Sequence, residues 1–571
     1  MPGRTVFGIA AARTPEWKLR HPAWLLLSSF LFLAACGGSS ESSPGGGSGG
    51  TAGGDGSGGS GGSVPPVEVA WGTCPFGSGE CTTLEVPLDW AHPGESQTIP
   101  FAVRRYRTSA AERKGQLWLL EGGPGEAGWG YTQQVDVFRA LAPGYDLYIP
   151  DYRGVGYSAW LGCDYQEGGE FTRACMNKIL DKWGDGLGFF TTTDAVRDIG
   201  YAIDATRAPG DRVYLYGVSY GTFVLNRFLT VFPDKADAAV LDSVCPSTGC
   251  DVKMDMNFNR VAKFVFDSCG GDPFCQSKLG ADPWATFASV AASLQAGHCS
   301  AFLGYPSNRT VLEQLTLLSV ADPHAVPMAL AMLYRMERCN AADVAALQSL
   351  LDWFSSPGGF AIDADTSSRY LSLHVVFSEF WPDGYDRAAA EAELAQLPLH
   401  MGTVASWLDD KDVWTWPASV TPPDLYRWAP TVSETPMLFL NGTLDGQTFV
   451  DGVRPVQDTF RNARQQYVEV PLAGHSVLYT SQAISRTKTC GMDLVAKFFG
   501  NPAAPVDTSC VGAIGGLDFR GSSAMAFELF GTSDMWENPA ASALALPAPL
   551  SPAETRALET LRRNLQHPPR F

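Results

Sequence analysis

A serine framed by glycines, Gly217-Val218-Ser219-Tyr220-Gly221, follows the apolar run from Val213 to Tyr216 and precedes the helix-like stretch from Thr222 to Leu229. A strand that ends in G-x-S-x-G and turns straight into a helix needs its glycines because the turn is too tight for side chains. The serine at its tip is held in a strained conformation, and its hydroxyl is thrust above the strand ends. The helix N-terminus beneath it favours developing negative charge. The chemistry on offer is nucleophilic attack by Ser219.

Serine is a weak nucleophile at neutral pH, so a base must take its proton and an acid must orient that base. Eight histidines are available. His21 lies in the N-terminal leader, His92 in an early Trp-Ala-His-Pro turn and His567 in the last few residues. His298, His324, His374 and His400 fall in a long helical stretch. His475 instead closes a short strand and a Gly-containing loop, Tyr467 to Gly474. The acid should follow another buried strand lying between serine and histidine. Pro436 to Leu440 is that strand, and Asp445 stands in the turn behind it. Taken singly, a turn aspartate and a surface histidine would fit these loops. Together, the order Ser219, Asp445, His475 is that of an α/β-hydrolase triad, and three placements agree with one template.

An acyl-transfer intermediate also requires donors for its oxyanion. One is expected from the backbone N–H of Tyr220, next to the nucleophile. The other is expected from Gly123, because Leu117 to Leu120 runs into Glu121-Gly122-Gly123-Pro124-Gly125. A glycine-rich turn at that point lets backbone amides approach a substrate closely.

These motifs resemble the proline-iminopeptidase and tripeptidyl-aminopeptidase-like branch of secreted α/β-hydrolase serine peptidases. The residues that carry the resemblance are Gly122-Gly123-Pro124-Gly125, Asp151-Tyr152-Arg153-Gly154-Val155-Gly156-Tyr157-Ser158, Tyr216 to Gly221, Asp445 and Gly474-His475. The opening Trp71 to Cys74 and Cys81 to Asp89 is similar to the start of secreted members. The resemblance implies an exopeptidase acting on short peptides without a cofactor or metal. Such an enzyme needs a carboxylate for the substrate's ammonium group, since a buried unpaired charge is costly. Glu379 sits where relatives carry an acidic residue in a similar segment; Glu121 and Glu126 are the other candidates. Two features depart from the pattern: Glu121 stands where iminopeptidases have His, and residues 511–571 run beyond the expected end.

Arg4, Arg13, Lys18 and Arg20 precede an apolar run from Ala23 to Ala35. That run falls short of the ~20 residues of a spanning helix and fits a signal-peptide core, residues 1–35. It ends Leu33-Ala34-Ala35-Cys36, which resembles a bacterial lipobox with Cys36 as the lipid-modified residue; an ordinary secretory signal or signal anchor is the alternative. Residues 36–66, nearly all Gly and Ser up to position 63, bury too little apolar surface to fold. They read as a tether with a reach of roughly 30 Å, holding the rest off a membrane surface. Thirteen cysteines leave twelve once Cys36 is set apart, as suits an oxidising compartment. Their spacing invites the pairs Cys74–Cys81, Cys163–Cys175, Cys245–Cys250, Cys269–Cys275, Cys299–Cys339 and Cys490–Cys510, among other possible connectivities. A formal charge of −19 argues against nucleic-acid binding.

The elements that must position this chemistry follow an α/β rhythm. From 67 to 242 β-like runs alternate with helical patterns, as in a mostly parallel sheet flanked by helices. Residues 243–430 read as helices and loops, and sheet-like segments resume over 431–510. The expected architecture is therefore an α/β-hydrolase core with a large helical cap inserted between nucleophile and acid, then an extension over 511–571. The expected activity is serine-dependent release of short peptides or residues from peptide N-termini. An esterase or lipase-like enzyme with the same triad, and a non-catalytic binding lipoprotein on this scaffold, are the alternatives.

Overall fold

The computed structural model describes residues 68–75, 77–163, 172–304, 307–356, 367–400, 402–413, 424–539 and 549–566. The leader, Cys36 and the tether lie outside the described residues. A nine-stranded sheet organises the chain: β1 (Gly72–Thr73), β2 (Glu80–Pro87), β3 (Thr98–Tyr106), β4 (Gly115–Leu120), β5 (Tyr145–Pro150), β6 (Arg212–Val218), β7 (Ala238–Asp242), β8 (Met437–Gly442) and β9 (Gln465–Val470). Their order is β1-β2-β3-β5-β4-β6-β7-β8-β9. The first strands pair antiparallel through β3–β5, and every later neighbour is parallel. This is the α/β-hydrolase fold.

Strands β4, β5, β7 and β8 are buried along their whole length, as expected for parallel strands covered on both faces. The two-residue alternation of a strand sorts their side chains. Trp118, Leu120, Leu215 and Leu241 pack on one side with the helices Arg173–Trp183, Thr192–Thr206 and Tyr220–Val231. Leu117, Leu119, Tyr214, Tyr216 and Val240 pack on the other with the helices Val135–Leu141 and Cys490–Gly500.

Between β7 and β8 the described chain is helical, from Met254–Gly271 to Thr403–Val413. The described parts of the extension, residues 511–539 and 549–566, fold back onto this region. Arg335, fully buried on the helix Val326–Arg338, donates to the carbonyls of Asp534, Met535 and Glu537. Trp536 fills the core beside it. The helix Pro552–Gln566 packs against the helices Ser307–Val320 and Ala341–Ser355 and the turn Val477–Thr480. All six expected disulfides are formed, with Cα–Cα distances from 4.8 to 5.7 Å. No helix among the described residues is long and apolar enough to cross a membrane.

Candidate active site

Parallel strands deliver their C-terminal ends to one edge of the sheet, and the chemistry-bearing loops collect there. Ser219 follows β6 with φ 56° and ψ −128°, a conformation that non-glycine residues rarely adopt. The close packing around it explains the flanking glycines. A Cβ on Gly217 would lie 2.4 Å from the carbonyl oxygen of Gly221, and one on Gly221 would lie 2.1 Å from that of Leu120.

Asp445 follows β8 and is fully buried. Its carboxylate accepts the N–H groups of Gln447 and Thr448 and the Thr448 hydroxyl. Nδ1 of His475 lies 3.0 Å from each of its oxygens. A carboxylate can only accept, so this contact places the proton on Nδ1 and leaves Nε2 able to receive one. Burial alone would raise the Asp445 pKa; the imidazole and the Thr448 donors outweigh it, leaving the carboxyl below its usual range. For His475, burial works downward, but Asp445 and the more distant Asp242 carry its pKa above the ordinary value. Both shifts favour the same arrangement, an anion oriented toward an imidazole ready to become cationic.

The Gly-Gly-Pro-Gly turn lies directly against the serine. A Cβ on Gly122 would sit 3.3 Å from Cβ of Ser219 and 3.9 Å from its Oγ. Gly123 has φ 107°, a left-handed conformation suited to glycine. Two tyrosines pin the carbonyls that precede this turn: Tyr131 donates to Leu120 and Tyr152 to Glu121, each at 3.1 Å. Tyr152 also meets the Tyr220 ring edge to face at 6.2 Å. The other residues of the Asp151–Ser158 block act as a brace. Asp151 accepts the N–H groups of Gly128 and Tyr157, while Arg153 donates to Asp198, Pro87, Leu88 and Phe189. That block was legible as a motif, but its role as a clasp behind the loop was not.

The three acidic candidates for an ammonium partner separate. Glu121 and Glu126 flank the glycine turn; Glu121 accepts the Gly122 N–H, and Glu126 accepts the Ser367 hydroxyl. Glu379 has a different environment from the one expected. One carboxylate oxygen accepts the N–H and hydroxyl of Thr192, at the start of the helix Thr192–Thr206, and the other accepts Arg227 at 3.1 Å. Arg227 projects from the helix Tyr220–Val231 that follows Ser219 and reaches Asp424 as well. Glu379 and Arg227 are both almost fully buried. The structure therefore gives Glu379 a cation within the protein, Arg227, as its charge partner. The signal for this existed: Asn226-Arg227 interrupts an otherwise apolar helix, and a buried arginine requires an anion.

The segment carrying Glu379 lies over the site at both ends. Ser368 donates its N–H to the Gly125 carbonyl at 2.7 Å, and Phe380 packs on Tyr220 and Phe223. No group of three or more His, Cys, Asp or Glu side chains able to hold a metal occurs among the described residues.

Residues 117–266 match a family model described as alpha/beta hydrolase fold, and residues 402–510 match one described as TAP-like protein. A tripeptidyl aminopeptidase of Streptomyces lividans is 33% identical over 193 residues, spanning 29% of this chain and 35% of the relative. The serine protease Hip1 of Mycobacterium tuberculosis is 26% identical over 239 residues, 36% of this chain and 44% of the relative. The chain thus covers less than half the length of either relative. Among solved structures, the proline iminopeptidase of Mycobacterium smegmatis aligns over 74% of this chain and 98% of its own at 13% identity, with a TM-score of 0.32. The resemblance expected from the motifs is met in both halves of the hydrolase core.

Proposed function

We propose that this chain of α/β-hydrolase fold is a serine aminopeptidase that releases short peptides or residues from peptide N-termini through an acyl-enzyme. The observation that carries the reading is the His475–Asp445 contact at the strand-end edge where the strained elbow presents Ser219. His475 Nε2 takes the Ser219 proton as Oγ attacks the scissile carbonyl carbon, and Asp445 holds the ring and the charge it gains. The N–H groups of Gly123 and Tyr220 receive the oxyanion. Collapse of the tetrahedral intermediate breaks the C–N bond, and the leaving amine takes the proton from His475. Water, deprotonated by the same imidazole, then attacks the ester and restores Ser219. No cofactor enters the cycle.

Glu121 and Glu126, on either side of the glycine turn, are the carboxylates this reading assigns to the substrate's free ammonium group. The segment 367–381, bonded to Gly125 and packed on Tyr220, is the element this reading assigns to limiting approach to chain ends. The similarity to a tripeptidyl aminopeptidase and a serine protease supports a peptide rather than an ester substrate. The six disulfides and the leader ending in Leu33-Ala34-Ala35-Cys36 support a place outside the cytoplasm, with the lipid on Cys36 as anchor and residues 36–66 as tether.

The test is a panel of fluorogenic peptidyl amides, with free and acylated N-termini, run beside short acyl esters. Turnover of free peptides, abolished by N-terminal blocking, is the expected result. Equal cleavage of blocked peptides would refute the exopeptidase reading, and turnover of esters alone would make the enzyme an esterase.

A further inference from the structure

The last residue of β7 bonds to Ser219 and to the loop that follows His475, although nothing in the triad pattern includes it. The carbonyl oxygen of Asp242 accepts the backbone N–H of Ser219 at 3.0 Å. Its carboxylate, fully buried, accepts the N–H groups of Val477 at 2.7 Å and Leu478 at 3.0 Å, two and three residues past His475. A third donor, the Tyr216 hydroxyl on β6, reaches the same carboxylate at 2.7 Å. Ser243, the next residue, completes the grip: its hydroxyl accepts the N–H of Ser476 at 2.7 Å.

Strain marks both sides of this contact. Ser243 has φ 58° and Ser476 has φ 65°, left-handed conformations that ordinary residues avoid unless their surroundings impose them. On the other side of His475, the Thr443 hydroxyl accepts the N–H of Leu472 at 2.8 Å. Leu444 donates to the Ala473 carbonyl at 2.8 Å, and a Cβ on Gly474 would overlap the carbonyl of Ala321. The base therefore sits between a packed glycine and a polar clamp, and the clamp's own backbone carries the nucleophile's amide.

We infer that Asp242 and Ser243 are positioning residues that set the spacing between Ser219 and His475. The inference rests on the serine-hydrolase reading of those two residues. Proton transfer between them demands hydrogen-bond reach, and a misplacement of about 1 Å can cost on the order of 10²-fold in rate. An asparagine at 242 keeps the shape but turns one acceptor oxygen into a donor nitrogen, which strands at least one of the three donors. An alanine at 243 removes only the acceptor for Ser476.

The experiment uses the full chain with Asp242→Asn, Ser243→Ala and Ser219→Ala. It reads kcat and KM on a peptidyl amide, together with the rate and final stoichiometry of labelling by a fluorophosphonate. That probe reports the activated serine without needing the peptide-binding groups. Asp242→Asn should lower kcat and the labelling rate together by about 10- to 100-fold. Ser243→Ala should lower both several-fold. In each, KM stays within about twofold and labelling still ends near one per chain. Undiminished rate constants in folded Asp242→Asn, or a reduced stoichiometry with a normal rate in the surviving fraction, would overturn the inference by leaving only a fold-stabilising role. If Asp242→Asn does not fold, Ser243→Ala decides: a normal labelling rate overturns the clamp. Turnover or labelling that survives in Ser219→Ala would instead refute the nucleophile assignment, a separate outcome.

Discussion

Replacing Glu379 separates two accounts of that residue. If it held the substrate's ammonium group, Glu379→Gln would raise KM for free peptides and leave the fold untouched. The structure places its carboxylate against Arg227 and Thr192, with both ion-pair partners almost fully buried. Removing one partner of a buried pair costs about 3–5 kcal/mol, because the other charge is left without its counter-ion. Arg227 keeps Asp424 at 3.0 Å, so Glu379→Ala belongs at the lower end, about 3 kcal/mol. Glu379→Gln can still accept from Thr192 and should cost about 1–2 kcal/mol. The assay is urea unfolding followed by tryptophan fluorescence for Glu379→Ala, Arg227→Ala and the double variant. The two losses should be strongly non-additive, with a coupling of about 2–3 kcal/mol, because the second substitution removes a charge already stranded by the first. Additive losses, or a KM effect on free peptides with wild-type stability, would refute this reasoning and restore Glu379 as a substrate contact.

Three further outcomes are expected. Gly221→Ala drives a methyl into the Leu120 carbonyl 2.1 Å away, so kcat/KM should fall by about 10²-fold or more even where circular dichroism shows a folded chain; wild-type turnover would contradict the elbow geometry. His475 must be neutral to accept a proton. Burial lowers its pKa, yet the nearby carboxylates of Asp445 and Asp242 hold it above the ordinary 6.5, so kcat/KM should climb with pH through a midpoint above that value. Asp445→Asn should move the midpoint down, and an unmoved midpoint would contradict the assignment. His374 is buried and its pKa is pushed down to about 4. Unfolded, it titrates near 6.5, so over that interval the unfolded chain binds a proton the fold does not. Stability should therefore fall as pH drops from 6.5 toward 4, by up to about 3 kcal/mol for this group. His374→Leu should shed that part of the acid sensitivity, seen as a smaller shift in urea midpoint between pH 7 and pH 5.

What the sequence revealed and what it hid divide along physical lines. The elbow, the glycine turn and the loops of Asp445 and His475 were legible because each is a local event. A buried strand stops, and a residue of particular chemistry follows within a few positions. Cysteine pairs close in sequence were legible for the same reason. The partner of Glu379 was not, since Arg227 lies on a helix some 150 residues earlier and meets it only after the cap segment folds over the core. Asp242 shows the same limit. An acid ending the apolar run Ala238-Ala239-Val240-Leu241 was visible, but its contacts with Val477 and Leu478 exist only because β7 and the loop after β9 reach one edge of the sheet. Residues 511–571 carried no motif. The place of the described stretch around Asp534–Glu537 follows from Arg335, whose donors are satisfied by carbonyls 199 to 202 positions away.

The most direct measurement is the site of covalent labelling. The purified chain is treated with a fluorophosphonate, digested and read by mass spectrometry. The account predicts a single adduct on the peptide containing Ser219, lost in Ser219→Ala and slowed by orders of magnitude in His475→Ala. An adduct on another residue, or labelling at Ser219 that is indifferent to His475, would contradict it.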